Sequence, residues 1–252
     1  MDNYTNDYLL NKQIKIFQPI DGYRASTDAV LLSSLVSGVK QGQKILDVGS
    51  GTGAISLCMA QRLKDFDINI IGAELQPELA ELSNMSAKAN GFDSFLRYIN
   101  CDIREKTELE NCSFHHVVSN PPYAQNDMPS PNKSKALAHN HHDFCLKSWI
   151  EYCLKMLRPF GHFYMINRAE AADEILHTLH KKAGNICLFP IYSKEGQNAK
   201  RIMVCAQKDS KAPLKIYPPF IIHQTNGEYT KAANLILREG ADFFTAAQTP
   251  SL

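Results

Sequence analysis

Apolar positions along the chain fall into short runs set between segments of helical period. KILDV (44–48) is an apolar run of strand length that ends in a Gly-rich turn. AISLCMAQRL (54–63), which follows, repeats its apolar residues at helical spacing. The order then recurs: strand NIIGAEL (69–75), helix QPELAELSNMSAKANGF (76–92), strand FLRYINC (95–101) and strand HHVVSN (115–120). Pro77 in the first turn of that helix and Gly91 just past its end stand where those residues favour helix boundaries. A loop rich in Pro, Ser and Asn occupies 121–137, and DFCLKSWIEYCLKML (143–157) predicts a helix stopped at Arg158-Pro159-Phe160-Gly161. Strands follow at 161–167, 186–192 and 201–207, with a helix at 169–182 between the first two.

Alternation of this kind predicts an α/β fold, a mostly parallel sheet with helices on both faces. The last two strands are joined only by SKEGQNAK, too short for a crossover helix, so they pair antiparallel. The expected organisation is an N-terminal covering segment (1–40), a central α/β domain (41–210) and a C-terminal extension (211–252) packed on the same domain.

Composition narrows the class. The 252 residues are 44% hydrophobic and 21% charged, as expected of a globular protein with a full core. No apolar run approaches the ~18 residues of a membrane span, and the polar start MDNYTNDYLLNKQ has no signal-peptide pattern. A cytoplasmic protein is expected. The seven cysteines are odd in number and lack CxxC spacing, which points to buried free thiols and away from disulfides or a zinc ribbon. Net charge is +1, but residues 1–120 carry −4 and residues 121–252 carry +5. Lys133, Lys135, Lys194, Lys200 and Arg201 belong to that basic half and are candidates for contact with an anionic partner.

Two motifs carry chemistry. In Asp47-Val48-Gly49-Ser50-Gly51-Thr52-Gly53, glycines between a strand and a helix allow a tight turn and close approach of a ligand. The spacing is GxGxG, not the GxGxxG of a dinucleotide site, and an acid precedes it. Asp47 would repel a pyrophosphate and attract an ammonium, which suits S-adenosylmethionine better than a nicotinamide dinucleotide. Glu74 ends the next strand, where a carboxylate can accept from ribose hydroxyls, and Asp102 follows the third, where it can accept from an adenine amino group.

Asn120-Pro121-Pro122-Tyr123 ends the fourth strand. Proline fixes φ and removes a donor, and restrains the residue before it. The segment offers an amide, carbonyls and a ring. Asn120 and the Pro121 carbonyl can accept from an exocyclic NH₂ and aim its nitrogen at a methyl donor, while Tyr123 stacks on the planar acceptor. No strong general base is needed, because the nitrogen becomes acidic as it is alkylated.

The series ILDVGSGTGAISL, GAEL, NCD and VVSNPPY resembles the class I methyltransferases that act on amino nitrogens. That resemblance implies a seven-stranded, Rossmann-like sheet whose last strand is antiparallel. FQPIDGYRASTDAVLLSSL (17–35), the run 135–166 and IIHQTNGEYTKAANLILREG (221–240) extend the likeness toward the tRNA1(Val) adenine-37 N6-methyltransferase family. In that family the stretch matched by Gly22, Tyr23, Arg24, Ser26 and Asp28 opens a helix over the cofactor, which implies a cofactor role for Asp28. The resemblance further implies a tRNA substrate; in the basic half Lys133, Lys135, Lys200 and Arg201 are the candidates for its phosphates. No metal is expected, and the oligomeric state is left open with a monomer slightly favoured. Phe160 departs from the glycine-containing turn usual there. The Gly-Glu-Tyr-Thr element (227–230) has no evident mechanism. His139, His141 and His142 lack a Cys or Glu cluster and are read as exposed or phosphate-facing.

NPPY does not itself separate adenine from guanine or from a protein glutamine. A glutamine N5-methyltransferase, an rRNA guanine N2-methyltransferase and a cofactor-binding module without catalysis therefore remain alternatives. The short N-terminal segment weighs against the first, the terminal Tyr against the second and the intact NPPY against the third.

Overall fold

A computed structural model describes residues 3–122 and 145–248. Period-two alternation near the start builds a hairpin: β1 (Tyr4–Leu9) pairs antiparallel with β2 (Ile14–Pro19). Ile14 and Ile16 point to the core and are fully buried. Leu10, Asn11 and Lys12 turn the chain with three successive left-handed φ values of 48°, 51° and 68°.

After α1 (Thr27–Leu35), the alternation expected from sequence is present: β3 (Gln43–Val48), α2 (Ala54–Leu63), β4 (Ile68–Glu74), α3 (Pro77–Ala89), β5 (Leu96–Asn100) and β6 (Phe114–Ser119). Then come α4 (Leu146–Met156), β7 (Leu157–Arg168), α5 (Ala172–Leu179), β8 (Ala183–Tyr192) and β9 (Arg201–Lys208). The long strands lie in the order β8-β9-β7-β6-β3-β4-β5. β9 runs antiparallel to both β7 and β8, and the other pairings in this set are parallel. Seven long strands with one reversed are the class I methyltransferase arrangement.

Alternating residues feed two cores. Ile45 packs on one face with α1, α2 and the hairpin, while Leu46 and Val48 pack on the other with α4 and α5. Two details differ from expectation. β7 begins at Leu157 rather than at Gly161, because Arg158–Gly161 bulges out between the paired positions Phe114–Leu157 and His116–His162. Phe160 takes a left-handed φ of 60° in that bulge, a conformation costing a non-glycine residue roughly 1–2 kcal/mol. The helix expected at 169–182 is a 3₁₀ turn (Ala169–Ala171) and a shorter α5, ended before the left-handed Lys181.

The C-terminal segment adds β10 (Lys215–Ile216) and β11 (Phe220–Ile221), both parallel to β8. The edge is interrupted opposite Pro190, which has no N–H to offer a partner. α6 (Lys231–Glu239) and α7 (Phe243–Ala247) follow. Phe243 packs edge-on to Phe189 at 5.2 Å between ring centroids and tilted against Phe220 at 5.1 Å, which seats this segment on the same core as α1.

Candidate functional site

The five residues between β3 and α2, Gly49–Gly53, form a tied turn. The Ala73 carbonyl accepts from the amides of Gly49 (2.8 Å) and Ser50 (3.1 Å), and the Ser50 carbonyl accepts from Gly53 (2.9 Å). Glu74, at the end of β4 and nearly buried, closes the turn from the other side. Its Oε2 accepts from the Gly51 amide at 2.8 Å and its Oε1 from Gln76 at 2.9 Å. Burial raises the Glu74 pKa, against those backbone bonds, which lower it. Ser83 of α3 donates to the Gly51 carbonyl at 3.1 Å.

Three aromatic rings clamp this turn, and each meets a glycine. A Cβ built on Gly49 lies 2.8 Å from Cζ2 of Trp149, and one on Gly51 lies 2.6 Å from Cε1 of Tyr23. On Gly53 it would collide with the Tyr98 hydroxyl and stand 2.7 Å from Cζ. The glycines therefore serve close packing as well as the turn. Tyr23 keeps 40% of its surface exposed, and the partial covering of its hydroxyl, with negative field from Asp47, Glu74 and Asp28, raises its pKa.

Asp47 lies beneath the turn with no solvent exposure. Its Oδ2 accepts from Ser56 Oγ at 2.5 Å, while Oδ1 has no partner among the described residues. Burial is the main cause of a pKa raised to about 7; the Ser56 bonds oppose it and Glu74 adds to it. The buried hydroxyls of Ser50 and Thr52 also have no partner among the described residues. A buried acid and two hydroxyls with unused capacity, under a glycine turn, fit a ligand that carries an ammonium and polar oxygens.

β6 delivers the second motif beside the first. Ser119 pairs in register with Val48, so Asn120 leaves the sheet next to Gly49. Ser119 Oγ donates to the Val48 carbonyl at 2.7 Å and accepts from Trp149 Nε1 at 2.7 Å. Trp149 thus bonds to the residue before Asn120 and packs its ring on Gly49. Pro121 is buried and Pro122 exposed.

The comparisons with known proteins bear on this arrangement. The methyltransferase small domain family matches residues 25–186. The chain belongs to that family. A tRNA1(Val) (adenine(37)-N6)-methyltransferase of Pedobacter heparinus is 29% identical over 236 residues, 93% of this chain and 97% of that protein. The protein of the same name from Haemophilus influenzae is 26% identical over 223 residues, covering 88% and 92%. Among solved structures, a protein described as a predicted O-methyltransferase from Agrobacterium tumefaciens superposes with a TM-score of 0.70 at 25% identity, covering 85% of this chain and 97% of that one. A T. thermophilus 16S rRNA N2 G1207 methyltransferase, solved with AdoMet and guanosine, shares the fold with a TM-score of 0.57 at 18% identity, covering 81% and 50%.

Within this family frame, Asp47, Gly49, Gly51, Gly53, Glu74 and Asn120 converge at the carboxyl ends of β3, β4 and β6. Asp102 follows β5, and its carboxylate is engaged by Arg104, whose Nε lies 2.8 Å from Oδ1 and 3.0 Å from Oδ2. Asp28, in the first turn of α1, accepts from Arg201 Nε at 2.8 Å. Two residues singled out for different roles are therefore one ion pair, joining α1 to the start of β9. Lys200 is exposed beside them. Tyr123, Lys133, Lys135, His139, His141 and His142 lie outside the described residues. Among the described residues no group of three or more His, Cys, Asp or Glu is placed to hold a metal, and no helix is long and apolar enough to cross a membrane.

Trp149, Ser119 and Tyr98 are absent from the sequence expectations. Trp149 is the sole tryptophan, but only the fold shows which glycine its ring meets. Trp149→Phe removes the bond to Ser119 and keeps a ring. The expected cost is about 1 kcal/mol, read as a roughly fivefold fall in kcat with cofactor affinity little changed. Steady-state kinetics check this, and an unchanged kcat would show that the bond does not position Asn120.

Proposed function

We propose that this chain transfers a methyl group from S-adenosylmethionine to the N6 amino group of an adenine in tRNA, at position 37 of the anticodon loop. The carrying observation is the placement of Asn120 beside the glycine turn, locked by the Ser119–Val48 and Trp149–Ser119 bonds. The names of the relatives from P. heparinus and H. influenzae support the acceptor. The cytoplasm, where tRNA is modified, is the matching compartment.

The residues present fit the cofactor, which supplies an electrophilic methyl on a sulfonium. Asp47, with one unpartnered oxygen, would hold the ammonium, aided by Ser50 and Thr52. Glu74 would hold the ribose hydroxyls with the lone pairs left by Gly51 and Gln76. Asp102 would share its oxygens between Arg104 and the adenine amino group. Asp28 supports the cover by fixing α1 to Arg201. Asn120 Oδ1 and the Pro121 carbonyl accept from the target NH₂ and orient its lone pair, and Tyr123 stacks on the base. The proton leaves to solvent once the nitrogen is alkylated. Lys200 is proposed to meet phosphate, as are Lys133 and Lys135.

The test is transfer of labelled methyl to total tRNA from cells lacking this protein, followed by nucleoside analysis. N6-methyladenosine is the expected product. Label in protein glutamine or in rRNA guanine instead would overturn the acceptor and leave the methyl transfer standing.

A further inference from the structure

We infer that a groove between the hairpin tip, the start of α1 and the Tyr229–Arg238 pair is a docking site for the phosphodiester backbone of the RNA substrate; this rests on the RNA acceptor proposed above. The groove encloses about 640 Å³ and is lined by Asn11, Lys12, Ser26, Thr27, Tyr229 and Arg238, among others. Among the described residues its lining contains two cations, Lys12 and Arg238, and no carboxylate. A second cavity of about 540 Å³ shares Tyr229 and Arg238 and continues past His223, with one carboxylate, Glu228, on its wall. The lining therefore favours an anion, and the two cavities together suit an extended one more than a small ion.

The Gly-Glu-Tyr-Thr element builds this wall. The Gly227 amide donates to the Gln224 carbonyl at 3.0 Å, and Gln224 donates back to Glu228 at 2.8 Å, closing a tight turn. Thr230 then caps α6 through the Ala233 amide at 3.2 Å and donates to the Ile221 carbonyl at 2.8 Å. Tyr229 between them is held against the His223 ring at 5.2 Å, with the Arg238 guanidinium 5.8 Å from its centre. A fixed ring backed by a cation is suited to sugar and phosphate, or to a base laid on the ring. On the other wall, Lys12 is carried by the hairpin turn and is exposed, as is Arg238.

Placement ties the groove to the reaction. Tyr23, whose ring covers Gly51, is three residues from Ser26 on the groove wall. Three trans peptide steps limit their Cα separation to about 11 Å, within reach of nucleotides flanking the reacting base. Among the described residues, neither Lys200 nor Arg201, first assigned to phosphate, lines this groove.

The experiment compares wild type with the double variant Lys12→Ala/Arg238→Ala in binding unmodified tRNA by fluorescence anisotropy across a salt series, alongside cofactor binding and thermal melting. Losing two phosphate contacts lowers the slope of log affinity against log salt by about 1.4 and weakens binding about 25-fold at 0.1 M salt. Cofactor affinity and melting temperature are expected to stay at wild-type values, because both side chains are exposed. The charge-keeping variant Lys12→Arg/Arg238→Lys is expected to hold the wild-type slope. An unchanged slope and affinity in the alanine variant, with wild type still methylating tRNA, overturns the groove alone. A wild-type protein that neither binds nor methylates tRNA overturns the acceptor and the groove with it.

Discussion

Asn120→Ala is expected to bind S-adenosylmethionine as wild type does and to lose about 10²–10³-fold in kcat, the scale seen when one preorganised polar group is removed from a reacting centre. The side chain sits where the geometry is stiffest. Ser119 before it is bonded to Val48 and Trp149, and Pro121 after it is buried with φ fixed by its ring. Truncating the amide therefore removes the acceptor without loosening the glycine turn. Trp149 gives the control, since the sole tryptophan packs on Gly49 and its emission should respond to cofactor at that turn. Titration by fluorescence together with label transfer to tRNA separates binding from chemistry. Full turnover by the variant would remove Asn120 from the mechanism. A parallel loss of cofactor affinity would assign it to the turn instead.

The parts of this site legible in sequence were those fixed by local pattern. Strand ends follow from apolar runs meeting glycine or proline, so the sequence alone places Asp47, Glu74 and Asn120 at the carboxyl ends of neighbouring parallel strands. The reversal of β9 followed from an eight-residue connection too short to cross over. What sequence concealed were pairings over long separations. Asp28 and Arg201 are 173 residues apart and were given different partners, yet they bond to each other. The hairpin β1–β2 was read only as a covering segment, because its alternation is short and interrupted by polar residues. The bulge at Arg158–Gly161 resembles a helix stop and a turn in one dimension; only pairing with β6 and β9 makes it part of a strand.

Gly53→Ala should show the second large effect, on the fold and on cofactor binding together. Gly53 stands at φ +80°, in the left-handed region that costs alanine roughly 1–2 kcal/mol. Its new methyl would also meet Tyr98, and that ring has nowhere to go. Tyr98 is 5% exposed, its hydroxyl donates to the Gly53 carbonyl at 3.1 Å, and the Cδ1–Cε1 edge of its ring lies over Gly72 of β4, where only a glycine leaves it room. Overpacking of this kind adds roughly 1–3 kcal/mol. The combined cost of about 2–5 kcal/mol corresponds to a melting temperature lowered by roughly 5–15 °C in a chain of this size. Gly196→Ala separates the two contributions, because Gly196 has a similar φ of +76° with nothing within 4 Å of the added carbon. It should show the backbone strain alone, a shift of a few degrees, and leave cofactor binding untouched. The turn relieves its clash by moving away from β4, which pulls Gly51 from Glu74 and disturbs the pocket above Asp47. Cofactor affinity should therefore fall with stability in Gly53→Ala. Equal melting shifts in the two variants, with cofactor binding intact in both, would mean that Tyr98 yields and that the aromatic clamp does not set the shape of the turn.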